Sequence, residues 1–350
     1  MSARLVPLTE ALYEPAAHFL ETRGDRPPGR ADVRRRVEWF EWLAEAPEFA
    51  AVSDVPIGWA LEGAGVEGVH LTTPFPFRFA GQACALLVSS NFFVTSENLG
   101  MPAFSLFRTF LRFRERMHLA ATTANDLSGR LWNASRGRPI EDSRTELFHV
   151  GRRMVGLVEE AVARGVGGGT MFRRFGGGAT RREVTEQLRE RVARIEALEE
   201  LRRWPVPAAE PPGRTGLWVT PGLVDWVCRN PLSPALIVRA ADDARLVCVV
   251  RGETRGHRGQ IREARFVAGC PEGDAEGVGQ ARALLRIARR LAGAVDTSVV
   301  ALRGGRFGAE DLAAAGFRGR RRPDVPRWWL PMKGETRSPT EWVQTGIEEL

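Results

Sequence analysis

"FVTSENLGMPAFSLFRTFLRF" runs from Phe93 to Phe113. Phe93 and Val94 have the character of a strand end. A short polar run follows, then Gly100, Pro102 and a very apolar helix. At the start of such a helix the backbone N–H groups lack partners and the helix dipole favours an anion. Gly100 would let that anion approach without meeting a Cβ. Pro102 suits a first helical turn but has no N–H to offer, and Glu97 brings like charge. Two readings stay open: a phosphate cradle on backbone amides, or a turn between a strand and a buried helix.

Upstream, Val33, Val37, Phe40 and Leu43 share one face of a helix expected over Asp32–Ala46, with Pro47 closing it. "IGWALEGAGVEGVHLTTPFPFRFAGQACALLVSSNFFV" then reads as successive strands turning at Gly63–Gly65 and Gly81. Pro74 and Pro76 place their strand at an edge or a bulge. Downstream come a short strand over Leu119–Thr123 and another helix. "GVGGGTMFRRFGGG", Gly165–Gly178, reads as a flexible linker, since no GKS/T follows it. Thr180 and Glu183 form a capping box. The helix they open aligns Val184, Leu188, Val192, Ile195, Leu198 and Leu201, a seam for packing on a domain or on a second copy, so a homodimer is considered. Beyond Pro205–Pro212 a second α/β region begins with a hairpin around Asp242–Asp243. It continues through "IREARFVAGC", a glycine-bearing loop, a helix from Val278 to Leu291 and the strand "TSVVAL".

The two halves read as one plan written twice, from Val94 to Gly137 and from Val267 to Gly316, which suggests a tandem duplication. The chain of 350 residues suits two cores. Its composition, 43% hydrophobic and 27% charged, is globular. No apolar run approaches the roughly 18 residues of a membrane span. The N-terminal stretch, with Glu10, Glu14 and Glu21, lacks the apolar core of a signal peptide. Cys84, Cys228, Cys248 and Cys270 are scattered and read as buried thiols in a reducing cytoplasm. The five histidines are as dispersed, so no metal site is expected. Only Lys333 among the 50 basic residues is a lysine, the usage of a GC-rich bacterial genome. A net charge of +7 permits anionic ligands without choosing among them.

The most informative stretch is "ATTANDLSGRLWNASRG", Ala121–Gly137, where Asn125, Ser128, Leu131, Trp132 and Gly137 stand in the pattern N-x-x-[A/S]-x-x-L-[aromatic]-x-x-x-x-G. This resembles the GCN5-related N-acetyltransferase (GNAT) superfamily. "VTSENLGMPAFSLFRTFL" occupies the place of that superfamily's acyl-CoA loop and helix, and "RLVPLTEALYEPAAHFLE" resembles its opening strand and helix. The resemblance covers residues 1–150 well and 215–330 faintly. Mycothiol synthase and the FemAB-type aminoacyl transferases share the tandem plan.

The resemblance implies a mixed α/β fold, a mostly antiparallel twisted sheet flanked by helices, present as two tandem domains. The expected division is an N-terminal domain over 1–150, a glycine-rich linker and amphipathic helix over 151–211, a degenerate second domain over 212–332 and a tail over 333–350. It implies acetyl-CoA or another acyl-CoA as co-substrate, no metal, and direct attack by an amine on the thioester. The residues it places at the acyl-CoA are Val94, Leu99, Gly100, Met101, Ala103, Asn125 and Trp132. Trp132 stands where many members carry a tyrosine that protonates the leaving thiolate, and an indole N–H is no general acid near neutral pH. Glu62, Glu67, His70 and Glu97 lie near expected strands, and none is singled out as a base, so the catalytic residues stay unassigned. The expected partner is a small-molecule amine or amino sugar. Nucleic acid is disfavoured, although Trp328, Trp329 and Trp342 follow Arg320–Arg322 and aromatics among arginines can stack on bases. The alternatives are a non-catalytic scaffold that keeps the fold, and tRNA-dependent aminoacyl transfer of the FemAB kind.

Overall fold

The computed structural model describes residues 3–22, 30–50, 52, 54–121, 124, 126–140, 146–149, 198–200, 215–217, 221–232, 235–240, 247–254, 261–268, 299–303, 313–314, 318–321, 328–336 and 342–343. The elements up to residue 140 are β1 (Arg4–Pro7), α1 (Glu10–Glu21), α2 (Arg30–Ala44), β2 (Gly58–Glu62), β3 (Val66–Phe79), β4 (Gln82–Val94), α3 (Met101–Leu111), β5 (His118–Ala121), α4 (Asp126–Ala134) and β6 (Arg138–Pro139). Then follow β7 (Glu146–His149), β8 (Leu198–Glu200), β9 (Thr215–Leu217), α5 (Pro221–Cys228), β10 (Ala235–Ala240), β11 (Val247–Thr254), β12 (Ile261–Ala268), β13 (Val299–Arg303), β14 (Arg318–Arg321), β15 (Trp328–Leu330) and β16 (Trp342–Val343). The architecture is mixed α/β with mostly antiparallel pairing, as the sequence implies.

Two sheets carry these strands. One has nine strands in the order β1-β2-β3-β4-β5-β15-β6, with β9 on β3 and β16 on β9. The other has seven, in the order β14-β7-β13-β12-β11-β10-β8. Each contains four consecutive antiparallel strands, then a parallel neighbour (β4–β5, β12–β13), then a strand from a distant part of the chain. In the first sheet β15 lies between β5 and β6; in the second β7 lies between β13 and β14. The strands therefore interleave across the boundaries expected at 150, 211 and 332. β7 sits in the second sheet, and β9, β15 and β16 sit in the first.

Local chemistry explains the first sheet's hairpins. Ala80 and Gly81 both have positive φ (49° and 80°), as a two-residue hairpin turn requires, and Phe79 pairs with Gln82 across it. β3 is an interior strand rather than an edge, and its prolines lie in a gap. The Thr72 N–H donates to Ile57 O at 2.9 Å on the β2 side. The nitrogens of Pro74 and Pro76 point the same way, past the last β2 rung at Leu71 and before β9 joins at Phe77, so no ladder bond is lost.

Alternation sorts the first sheet's side chains onto two faces. Val69, Leu71, Phe75, Phe77, Val88 and Trp329 pack with α1, α2 and α5. Trp59, Leu87, Leu119 and Leu330 pack with α3 and Trp132 of α4 on the other face. Burying each such side chain contributes about 1.5–3 kcal/mol. Across the first layer Trp42 of α2 and Trp226 of α5 stack at 4.1 Å, 4° from parallel. Each indole N–H donates to the other residue's carbonyl at 2.8 Å.

Other expectations divide. α2 begins and ends two residues before the helix expected over Asp32–Ala46. The β10–β11 pairing centres on the expected hairpin. The seam helix does not reach Leu201, because Leu198–Glu200 is β8, held in the second sheet by β10; its earlier turns, the glycine-rich stretch, the capping box and the helix at Val278–Leu291 lie outside the described residues. Trp328 and Trp329 dock in β15, and Trp329 is buried between Phe79 and His118, which removes it as a stacking platform for bases.

Candidate active site

β4 and β5 run parallel through four rungs, from Leu86↔His118 to Ser89↔Ala121. β4 continues through Ser90–Val94, past the partner of the last described β5 residue, Ala121. Along that edge its backbone groups have no ladder partner among the described residues. On its other edge β4 bulges. The register with β3 shifts between Val69 and Leu71, and Asn91 takes a left-handed φ of 46°. A bulge bends the strand that carries it, and left-handed non-glycine residues concentrate at functional sites. Among the described residues the β5 side of β4 is thus unpaired beyond Ser89, beside the bulge.

Val94 delivers the chain from this overhang into a pinned loop. The Thr95 N–H donates to Glu67 O at 2.8 Å. Asn98 Nδ2 donates to Glu67 Oε2 and Thr95 Oγ1, both at 2.9 Å. Gly100 caps α3 with φ 101° and ψ −126°, a conformation that a side chain would strain, and no atom lies within 4 Å of where a Cβ would be. The first helical bond is Phe104 N–H to Gly100 O at 2.8 Å. By helix geometry the Met101 and Ala103 N–H groups stay outside the ladder, while Pro102 has none. Two donors and the dipole end therefore lie where that overhang leads. Glu97 stays ionised there. Hydrogen bonds from its own backbone N–H and from the Thr95 and Ser96 hydroxyls hold its carboxyl below the usual range.

Val94, Leu99, Gly100, Met101 and Ala103 are thus gathered at one place, where β4 leaves the sheet and α3 begins. Asn125 lies outside the described residues. Trp132 is buried, its ring edge-on to Phe107 and Phe110 at 5.6 and 5.8 Å. The glycine of its motif has a packing reason. Gly137 N–H donates to Trp132 O at 2.8 Å, and a Cβ on Gly137 would sit 2.9 Å from that oxygen.

Under α3 lies a pair that the sequence did not single out. His70 Nε2 and Ser89 Oγ are 2.7 Å apart, the histidine fully buried among Phe92, Phe107 and Phe110. Burial pushes the His70 pKa down to about 3, opposed by the Leu106 backbone. The ring is neutral at physiological pH, and a group so weakly basic does not deprotonate an amine. Glu62 is paired with Arg4 at 3.2 Å, Glu67 holds Asn98, and Glu97 is bonded within its own loop. None of these four groups, three carboxylates and one histidine, stands ready as a general base. The signal that could have exposed the pair was parity: His70 faces opposite to Val69 and Leu71 in a strand whose partner carries a serine on the same face.

Comparison with solved structures places this arrangement. A putative acetyltransferase from Pyrococcus horikoshii matches over 99% of this chain and 93% of its own, with a TM-score of 0.52 and 10% identity. A GCN5-related N-acetyltransferase from Kribbella flavida matches over 94% of this chain and 72% of its own, at 0.51 and 13%. The chain has the GNAT fold. The N-myristoyltransferase of Saccharomyces cerevisiae, solved with bound myristoyl-CoA, has it too, matching over 99% of this chain and 87% of its own at 0.51 and 9%. No protein-family model matches the sequence, and no curated protein does. At such identities the GNAT fold is what is shared. The unpaired β5 side of β4 and the turn into α3 are the parts of that fold on which chemistry must be argued.

Proposed function

We propose that the chain is an acyl-CoA-dependent N-acyltransferase, moving an acyl group, most simply acetyl, to a small-molecule amine or amino sugar. The supporting observation is the continuity of one path. The backbone of Ser90–Val94, unpaired on its β5 side among the described residues, leads directly to the Gly100 turn and the N–H groups of Met101 and Ala103. The donors suit the pyrophosphate, and the unpaired edge of β4 suits the amide-bearing arm of the co-substrate, which an added strand would otherwise pair. Acyl-CoA supplies a thioester carbonyl that an amine can attack. The C–S bond breaks as the C–N bond forms, and the nitrogen's proton goes to the departing thiolate or to water. Asn125 and Trp132 belong to this reading differently. Asn125 would bond pantetheine amides, and Trp132 would set the spacing of α4 from α3.

We read the two sheets as two units of one kind, the first built mainly from 1–150 and binding the co-substrate, the second mainly from 212–332 and supporting it. Residues 151–211 link them and 333–350 form the tail. A cytoplasmic setting fits this co-substrate. The non-catalytic scaffold is the second reading, favoured by Glu97 and Pro102 at the cradle and by the lack of a free base among the residues considered. Titration of the full chain with acetyl-CoA and CoA decides between them. Micromolar binding lost in Gly100→Glu, together with acetylation of an amine panel, supports transfer. No binding at millimolar ligand leaves the scaffold.

A further inference from the structure

The exposed large hydrophobic side chains of the described residues are Leu99 (53%), Met101 (72%) and Phe104 (38%), all in the loop and first turn of α3. Helical spacing continues their line along the solvent side of α3 through Arg108 and Arg112. Arg130 and Arg136, on and just after α4, are exposed on the same side of the sheet. None of these four arginines has an ion-pair partner among the described residues. The described carboxylates nearby are already engaged, Glu67 with Asn98 and Asp54 with Arg116. Glu97 is bonded within its own loop, and Glu115 is paired with Lys333 at 2.8 Å. The apolar tip is presented by a loop that Asn98 holds in place.

We propose that this face docks on an anionic lipid surface, with Leu99, Met101 and Phe104 entering the headgroup region and Arg108, Arg112, Arg130 and Arg136 meeting lipid phosphates. Apolar side chains beside unpaired arginines are the chemistry of interfacial binding, and no described helix is long and apolar enough to span a bilayer, so the contact is superficial. A second copy of the chain fits this surface less well, because an isologous contact would set arginines against arginines. An acyl-CoA seated at the start of α3 covers the tip at most, since Arg108 lies roughly 10 Å farther along the helix. The proposal does not depend on acyl transfer.

The test is co-sedimentation of the full chain with phosphatidylglycerol-containing vesicles and with pure phosphatidylcholine vesicles. Each arginine near such a surface contributes about fivefold to partitioning. Arg108→Glu/Arg112→Glu is expected to weaken binding at least about 25-fold, and Phe104→Asp to weaken it severalfold. All three side chains are exposed, so melting temperatures are expected to hold, which separates lost docking from lost folding. Salt is expected to release the protein. The proposal is overturned by failure to bind the anionic vesicles, by equal binding to both kinds, or by undiminished binding of the double variant. It is also overturned by light scattering that shows a dimer which Phe104→Asp dissociates. Loss of lipid binding leaves the acetyl-CoA titration untouched, so the two readings fail separately.

Discussion

The two sheets follow one order of pairings but treat their parallel strands differently. In the first, β4 runs on through Ser90–Val94 after its last rung with β5 at Ser89↔Ala121. In the second, the last rung is Phe266↔Leu302, after which β12 ends at Ala268 and β13 at Arg303. Among the described residues, the first pair leaves Ser90–Val94 of β4 beyond its last rung, beside a bulge with a left-handed Asn91, and the second leaves Val267 and Ala268 of β12. A ladder satisfies backbone groups, so among the described residues the longer overhang of β4 offers more of them to a ligand. On the proposed reading, this overhang rather than the topology sets the candidate site apart from the second sheet.

The largest expected effect concerns the stack of α2 on α5, two regions distant in the chain that cover the same face of the first sheet. Trp42 and Trp226 stand 184 residues apart and exchange hydrogen bonds symmetrically, and Glu45 meets Arg229 at 3.1 Å across the same separation. Either tryptophan changed to alanine removes a buried ring and one indole donor, leaving the other residue's backbone carbonyl without that bond. A loss of about 3–5 kcal/mol is expected in chemical denaturation. The double variant should lose clearly less than the sum of the two. Strict additivity would show that the stack does not couple the regions.

Next comes acid sensitivity, which should belong to the first sheet. The folded pKa of His70, about 3, lies below the ordinary 6.5. Between those values the unfolded chain binds a proton that the folded chain refuses, so stability falls as pH drops from about 6.5 towards 3. The slope approaches about 1.4 kcal/mol per pH unit. His70→Gln should flatten that slope in urea melts at stepped pH. An unchanged slope would assign the acid sensitivity elsewhere.

The third effect is on binding. Gly100→Ala forces a Cβ into a conformation that costs about 1–3 kcal/mol. The free loop relaxes to relieve that strain, and restoring the cradle for the ligand is then expected to lower acetyl-CoA affinity by up to about 5- to 150-fold. Calorimetry on the parent chain should also give one site per chain. Two sites would erase the distinction between the sheets.

What the sequence shows of all this depends on range. The β2–β3–β4 meander is written in neighbouring residues, in Gly63–Gly65 and Gly81. The residues of the loop and first turn of α3 are likewise adjacent, so they were found together. The strand interleaving is not local. β7 and β15 are short, and their partners lie far along the chain, so no periodicity marks them. β8 shows the conflict most clearly, because Leu198 fits a helical seam yet pairs with Ala240. The tryptophan stack did leave a trace, in "EWLAEAP" from Glu41 and "DWVCRNP" from Asp225. That trace is a seven-residue likeness, weaker than the glycine spacing that suggested the repeat.

Pro102 gives the smallest effect and the sharpest one. Of the first helical positions of α3 it alone cannot donate, and it shares that first turn with Met101 and Ala103. Pro102→Ala restores one N–H without touching the core, since the first helical bond already runs from Phe104 to Gly100. A charge-assisted hydrogen bond to a phosphate is worth about 1.5–3 kcal/mol at best. Alanine also leaves the unfolded chain more freedom than proline does, which lowers stability but not affinity. A gain of about tenfold in CoA affinity is the expected outcome, with a slightly lower melting temperature. Dephospho-CoA keeps the pyrophosphate and should gain equally. Tighter binding in this variant would locate the pyrophosphate at the start of α3; unchanged affinity alongside a loss in Gly100→Ala would move the phosphates away from the helix and leave Gly100 acting through the shape of the loop.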